Sequence, residues 1–188
     1  AEELGITDIC NIYGSTEGYG NCCVTPHDWP LEQRIQCQGP PLPGVTVRIR
    51  DPETGALLGV GEVGEIEFTG YITPGYAGDS AQHNANVFTD DGFFRTGDLG
   101  ALNADGSLSY AGRRSEIIKS SGINVSPVEV EEAMQQHPDV ALVGVTGVED
   151  AVKGELIVAY VVARPGTAPT LDALRQHSRR DAELGAAQ

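Results

Sequence analysis

Three clusters of polar residues in this 188-residue chain combine the side chains that chemistry on a nucleotide requires. They are YGSTE at residues 13–17, FRTGD at residues 94–98 and GRRSEIIKSSGINVSPVEVE at residues 112–131. A ring can stack on a base, hydroxyls can bond phosphate oxygens, carboxylates can hold Mg²⁺ or ribose hydroxyls, and cations can neutralise phosphate. The set, in this order, predicts a nucleotide site.

Each cluster taken alone has a simpler interpretation. Gly14 and Ser15 are ordinary turn formers, and Asp98 is a residue type that caps turns. Lys119 at the end of a strand would face water, and the acidic residues that follow it would form a solvated helix face. The prediction of a nucleotide site therefore depends on the three clusters together.

The composition limits the classes of partner. The chain has a formal net charge of -15 and a sequence pI of about 4.4, which leaves no broad basic surface for nucleic acid or an anionic membrane. No uninterrupted apolar run is long enough to cross a bilayer, and the first residues lack the order of a signal peptide. We expect a cytoplasmic protein with a small-molecule partner and reduced cysteines.

The elements that must position these clusters fall into two parts. Short strands punctuated by Gly and Pro are predicted at residues 6–13, 45–49 and 62–71, with a helix at 79–88 capped by Asp79 or Ser80. An NADG turn between residues 99–102 and 107–110 predicts a hairpin.

After Arg113 the pattern changes to α+β. A helix at 126–137 begins at a capping box, strands follow at 139–146 and 155–163, and a second helix is predicted at 171–179. We therefore predict a β-rich part at residues 1–113 and a small α+β part at 114–188.

The three motifs resemble signature motifs of the adenylate-forming (AMP-binding) superfamily, which includes acyl-CoA synthetases, firefly luciferase and the adenylation domains of peptide synthetases. The resemblance covers residues 8–179 and is most specific in the third motif. It implies an α+β protein in which the C-terminal part of the large AMP-binding domain, a distorted barrel, precedes a small, mobile and incomplete C-terminal domain.

The resemblance also implies roles for the first motif. Tyr13 would stack on the adenine, Thr16 would bond the α-phosphate, and Glu17 would hold Mg²⁺. Gly14 and Ser15 would belong to the same nucleotide site. Thr16 and Glu17 would thus act in catalysis, with Glu17 as the metal ligand.

Further roles fall on the second and third motifs. Asp98 would accept hydrogen bonds from both ribose hydroxyls, and Arg113 would also contact the ribose. Lys119 would face the active site in a second orientation of the small domain, and Gly122 would let a thiol carrier approach. The hinge for that rotation falls on Ser115, where the family usually has Asp or Lys.

The implied reaction uses ATP, Mg²⁺ and CoA. A carboxylic acid attacks the α-phosphorus, pyrophosphate leaves, and a thiol then takes the acyl group from the acyl adenylate. GINVSPVEVE and YITPGYAG are most similar to the CoA ligases of fatty or aryl acids. We therefore expect an ATP-dependent carboxylate–CoA ligase.

Two of the family's elements are not in this sequence, namely the Gly/Ser/Thr-rich phosphate loop and the adenylation lysine. We therefore expect a C-terminal fragment that does not form adenylates by itself. An adenylation domain of a peptide synthetase, a luciferase-like oxygenase and a noncatalytic nucleotide-binding module remain alternatives.

Overall fold

The computed structural model describes residues 5–6, 8–78 and 81–177. The chain divides into two compact units, Ala1–Arg114 and Ser115–Gln188. Both contain short helices and antiparallel strands, so the predicted α+β class is confirmed. Among the described helices, none has the length and apolar character needed to span a bilayer.

The first unit is built on a four-stranded antiparallel sheet beside a small two-stranded one. Its elements in chain order are β1 Ile12–Tyr13, β2 Cys23–Val24, α1 Leu31–Gln36, β3 Thr46–Arg50, β4 Gly64–Thr69, α2 Ala81–Val87, β5 Phe94–Leu102 and β6 Leu108–Arg113. The large sheet has the order β3-β4-β5-β6, and β1 pairs with β2. In the described residues the large sheet is open rather than a closed barrel, since four strands are too few to curl around a packed interior.

The core of this unit lies between the apolar face of the large sheet and the β1–β2 pair. Alternate residues of β3 and β4 point into it because successive side chains of a strand face opposite sides. Phe68 and Phe94 meet edge to face, with ring centroids 5.6 Å apart. The buried members are Tyr13, Cys22, Cys23, Val47, Ile49, Ile66, Phe68, Phe94 and Leu108.

The first strand is much shorter than the predicted span of 6–13, and its start is held by side chains instead of a ladder. Asn11 N donates to Thr25 Oγ1 (2.8 Å), and Asn11 Nδ2 donates to the Cys37 carbonyl (3.0 Å). Arg34 donates to the Ile9 carbonyl (2.7 Å). Backbone groups that bond side chains cannot pair with a neighbouring strand, so the strand prediction was wrong for residues 6 and 8–11, and position 7 lies outside the described residues.

Two helices of the first unit bear on the predictions. The helix expected at 79–88 is observed at Ala81–Val87, and its proposed caps lie outside the described residues. Helix α1 was not predicted, because it has only six residues and begins after Pro30 without a side-chain cap. The hairpin around the NADG turn is confirmed by the pairing of β5 with β6.

The second unit is a four-stranded antiparallel sheet with helices packed against it. Its elements are β7 Ile118–Ser120, β8 Ile123–Val125, α3 Pro127–Gln135, β9 Val140–Asp150, β10 Gly154–Ala163 and α4 at residues 171–177. The strand order is β8-β7-β10-β9. Ser126 caps α3 by accepting a bond from Glu129 N (3.5 Å), as its sequence predicts. Met134, Val140 and Leu174 form the buried core.

The face of the large sheet opposite the core carries a row of charges centred on Glu67. Its side chain has no exposed surface, and its carboxylate pairs with Arg48 (2.5 Å), Arg50 (3.0 Å) and Arg95 (3.6 Å). Arg48 also pairs with Asp91 and lies 3.7 Å over the ring centre of Phe93. One buried carboxylate therefore holds three neighbouring strands together through the cations on either side of it.

We expect Glu67→Ala to destabilise the protein by about 3–5 kcal/mol, because it leaves a cluster of cations without their shared counterion. Urea denaturation followed by circular dichroism measures this loss. Glu53→Ala is the matched control, since Glu53 is an exposed glutamate in a turn of the same unit. Equal stability of the two variants would contradict a central role for Glu67.

Candidate functional site

The first cluster forms a tight turn directly after β1. The Ser15 carbonyl accepts hydrogen bonds from the N–H groups of Gly18 (3.1 Å) and Gly20 (3.0 Å), and Thr16–Gly18 forms one 3-10 turn. Gly14 packs so closely that a Cβ there would lie 1.7 Å from the Gly20 carbonyl oxygen. The turn therefore depends on a hydrogen atom in place of a side chain at position 14.

The same turn presents Thr16 at the surface and leaves Glu17 half-buried. The Glu17 carbonyl accepts a bond from Thr73 N (2.7 Å), and its carboxylate Oε1 accepts the hydroxyl hydrogen of Tyr76. This hydrogen bond lowers the pKa of Glu17. The site therefore contains an ionised carboxylate at neutral pH.

The second cluster lies inside β5 at a bulge, and not before a strand as the sequence suggested. Residues 96–98 all lie opposite Ile66 of β4. Thr96 Oγ1 donates to the Ile66 carbonyl (2.8 Å), and Gly97 N donates to Glu65 Oε1 (3.3 Å). Gly97 has φ +72°, a backbone conformation that glycine adopts without strain. The pairs that flank the bulge are Glu67 with Arg95 and Glu65 with Leu99.

The bulge brings Asp98 to the end of β1. Asp98 is buried, and its Oδ2 accepts the Tyr13 hydroxyl hydrogen at 2.7 Å across 85 residues of chain. Its Oδ1 lies 3.2 Å from Arg113 Nε, at ion-pair distance, yet no donor among the described residues forms a hydrogen bond with it. A buried acceptor of this kind can take a hydroxyl hydrogen from a ligand.

Tyr13 is placed differently from what base stacking alone would suggest. Only 8% of its surface is exposed, and its ring lies 6.1 Å from that of Tyr110. Burial raises the pKa of the Tyr13 phenol, so the group stays a hydrogen-bond donor to Asp98. Stacking of Tyr13 on a base stays a prediction.

A cavity of about 710 Å³ brings together residues of the first two clusters and the start of the third. Ligand sites in proteins commonly have volumes of about 300–1,000 Å³. Tyr13 is not among the lining residues. They are Gly14, Ser15, Thr16, Glu17, Gly20, Tyr76, His83, Val87, Phe94, Arg95, Thr96, Asp98 and Arg113.

The remaining two candidate residues, Lys119 and Gly122, belong to the second unit. Lys119 has an exposed side chain, and its N–H donates to Glu155 Oε2 (2.6 Å). Ser121 and Gly122 connect β7 to β8 with φ +53° and +80°, the signs of a type I′ hairpin turn. A Cβ at Gly122 would meet nothing within 4 Å, so within this unit backbone conformation, not space, favours glycine there.

Sequence reasoning missed four residues that line the cavity, namely Gly20, Val87 and the two ring-bearing residues Tyr76 and His83. Their rings pack on each other with centroids 4.8 Å apart. Tyr76 lies in YITPGYAG, which the sequence analysis used only as a mark of resemblance. His83 carries no sequence signal, because only the position of α2 in the folded chain brings it to the cavity.

The residues of the cavity fit a nucleotide accompanied by Mg²⁺. Asp98 Oδ1 is a buried acceptor without a hydrogen-bond donor in the described part of the chain, which suits a ribose hydroxyl. That part contains no group of three or more His, Cys, Asp or Glu residues able to hold a metal. Mg²⁺ commonly binds through one or two carboxylates plus substrate phosphates, and the single carboxylate of Glu17 would meet that requirement.

Two family profiles and similar curated sequences match this chain to AMP-binding enzymes. A family profile described as "AMP-binding enzyme" matches residues 1–77, and one described as "AMP-binding enzyme C-terminal domain" matches residues 129–187. The putative acyl-CoA ligase YdaB of Bacillus subtilis (strain 168) is 39% identical over 165 residues, which cover 87% of this chain and 32% of YdaB.

Solved structures agree with these matches. ATP-bound MatB from Rhodopseudomonas palustris gives a TM-score of 0.83 at 34% identity, covering 92% of this chain and 34% of MatB. The o-succinylbenzoate CoA synthetase of Bacillus subtilis, in complex with its acyl-adenylate intermediate, gives 0.79 at 30% identity, covering 95% of this chain and 35% of the synthetase. The chain spans about a third of the length of the curated relatives it matches.

Gly14→Ala should destabilise the protein by about 1–3 kcal/mol, because the new methyl group overlaps the Gly20 carbonyl and forces the turn open. Thermal unfolding followed by circular dichroism measures the effect. Gly144→Ala serves as control, since a Cβ at that position meets nothing within 4 Å. A Gly14→Ala protein as stable as the control would refute the close packing of this turn.

Proposed function

The chain belongs to the AMP-binding family of adenylate-forming enzymes, and we propose that it forms the ribose- and metal-binding side of the nucleotide site of an ATP-dependent carboxylate–CoA ligase. In the complete reaction a carboxylate displaces pyrophosphate from ATP to form an acyl adenylate, and the thiol of CoA then displaces AMP to form the thioester. The observation that carries the proposal is the cavity where Thr16, Glu17, Asp98 and Arg113 converge.

Each of these residues has a proposed role that its geometry supports. Asp98 accepts the ribose hydroxyls, because its Oδ1 is buried and Tyr13 already occupies Oδ2. Arg113 contacts the same ribose from the end of β6, where its Nε lies 3.2 Å from Asp98 Oδ1. Thr16, exposed on the turn, bonds the α-phosphate, while the Gly14–Ser15 backbone gives that phosphate close access.

Charge neutralisation is the main contribution these residues can make to adenylate formation. Negative charge develops on phosphate oxygens when the carboxylic acid attacks, and positioned donors and cations stabilise it. Mg²⁺ bound through Glu17 would supply part of that positive charge. The residues of this chain bind and orient the nucleotide.

We propose CoA as the acyl acceptor because several relatives are named as CoA ligases, among them sulfoacetate–CoA ligase of Cupriavidus necator. In this proposal the second unit supplies Lys119 and the Ser121–Gly122 turn to the thiol-transfer step. Four free cysteines in the first unit suit the reducing cytoplasm, where we place the protein. The 188-residue chain itself would bind nucleotide without forming adenylates.

The proposal predicts that this chain binds AMP and that Asp98→Asn weakens binding by about 10- to 100-fold, since hydrogen bonds to a charged group contribute about 1.5–3 kcal/mol. Isothermal titration calorimetry measures both affinities. Asp172→Asn is the matched control, because Asp172 is exposed on α4.

The role of Asp98 can be separated from a general loss of structure with a ligand that lacks both ribose hydroxyls. Asp98→Asn should bind 2′,3′-dideoxy-AMP as well as the unaltered chain does, because the contacts it removes are absent from that ligand. An unaltered chain that gives no binding heat with AMP would refute the nucleotide site. A variant that weakens both ligands equally would refute the ribose contact.

A further inference from the structure

Tyr76 contacts the proposed metal ligand directly although it lies 59 residues away in the chain. Its hydroxyl donates to Glu17 Oε1 inside the cavity that also contains Asp98 and Arg113. A carboxylate has two oxygens, and Oε2 of Glu17 is not part of this bond. Tyr76 thus acts on the orientation of Glu17 without occupying the whole carboxylate.

Tyr76 is held in place by α2. Its N–H donates to Asn84 Oδ1 (2.8 Å), and its carbonyl accepts from Asn84 Nδ2 (3.0 Å), so one side chain of α2 bonds both backbone groups. Its ring packs on His83 with centroids 4.8 Å apart and lies 6.4 Å from Phe88. Tyr76 is therefore held by contacts with Asn84, His83 and Phe88 in addition to its bond with Glu17.

The segment that contains Tyr76 also binds the backbone of Glu17. Thr73 N donates to the Glu17 carbonyl (2.7 Å), and Thr73 Oγ1 donates to the Gly75 carbonyl (3.3 Å). Glu17 is consequently bonded twice by the same segment, once through its backbone and once through its side chain. A side chain with both ends held loses little further freedom when it binds a cation.

The charges in this contact suit a metal ligand. The bond lowers the pKa of Glu17 and raises that of Tyr76 to about 12, so near neutral pH the proton stays on the phenol and the carboxylate stays ionised. Among the described lining residues Asp98 is the other carboxylate, but it already bonds Tyr13 and pairs with Arg113. Glu17 is thus the better placed anion for a cation.

We propose that Tyr76 is a positioning residue that holds the carboxylate of Glu17 so that Oε2 faces the divalent cation accompanying the nucleotide phosphates. This inference rests on the proposed nucleotide site and adds a residue to it. Hydrogen-bonded partners of metal-ligating carboxylates commonly change metal affinity by about 10- to 100-fold when they are removed. The Tyr76 hydroxyl is such a partner.

The test compares ATP binding with Mg²⁺ and with EDTA, measured by calorimetry on the unaltered chain and on Tyr76→Phe. The variant removes one oxygen and keeps the ring that packs on His83. We expect the gain in ATP affinity that Mg²⁺ produces to fall by about tenfold or more, with affinity in EDTA unchanged. Tyr71→Phe is the matched control, because Tyr71 is 69% exposed in the same segment.

Two further variants show whether Tyr76 acts through Glu17. Glu17→Gln should by itself remove most of the Mg²⁺ effect, because it replaces the proposed anionic ligand with a neutral amide. Adding Tyr76→Phe to Glu17→Gln should cause no further loss of the Mg²⁺ effect.

The outcomes separate this inference from the function on which it rests. An unaltered chain that binds no ATP under either condition would overturn the nucleotide site and the inference with it. A chain that binds ATP with the usual Mg²⁺ effect, but whose Tyr76→Phe variant behaves like the control, would overturn the inference alone. Loss of the Mg²⁺ effect in that variant, with no further loss when Tyr76→Phe is added to Glu17→Gln, would support it.

Discussion

The register shift between β4 and β5 is the constraint on which the site in the first unit depends. Residues 96–98 bulge opposite Ile66, and two bonds hold them there, from Thr96 to the Ile66 carbonyl and from Gly97 to Glu65. Asp98 is the last residue of this bulge. On either side of the bulge β4 and β5 pair regularly, so the two strands stay joined while Asp98 is brought to the end of β1.

Carboxylates in this unit serve two different purposes, and their partners distinguish them. Glu67 has no exposed surface and pairs with three arginines, so its negative charge stabilises the pairing of neighbouring strands. Asp98 and Glu17 instead each accept a hydrogen bond from a tyrosine hydroxyl, a neutral donor, and Asp98 has one arginine, Arg113, beside it where Glu67 has three. A neutral donor orients a carboxylate while leaving its charge available to a ligand. The same residue type is therefore structural on one face of the sheet and available for binding at the cavity.

Glycines matter to the proposed site in two distinct ways. At Gly14 a side chain has no space, because the carbonyl of Gly20 occupies the position of a Cβ. At Gly97 and Gly122 there is space, but φ is positive, at +72° and +80°. The first kind brings two stretches of backbone together, and the second bends a strand or closes a hairpin. Substitution by alanine would thus destabilise the protein through a steric overlap at Gly14 and through backbone strain at Gly97 and Gly122.

The sequence by itself determined the family, the α+β class, the hairpin of β5 and β6, and the capped helix α3, because each depends on neighbouring residues or on a motif of fixed spacing. It did not determine that β1 is two residues long, that FRTGD lies within a bulged strand, or that Tyr76 and His83 line the cavity. Those features arise from contacts between distant parts of the chain, such as Asn11 with Cys37 and Tyr76 with Glu17. Only the tertiary structure brings such residues together, since no local preference encodes a bond across tens of residues.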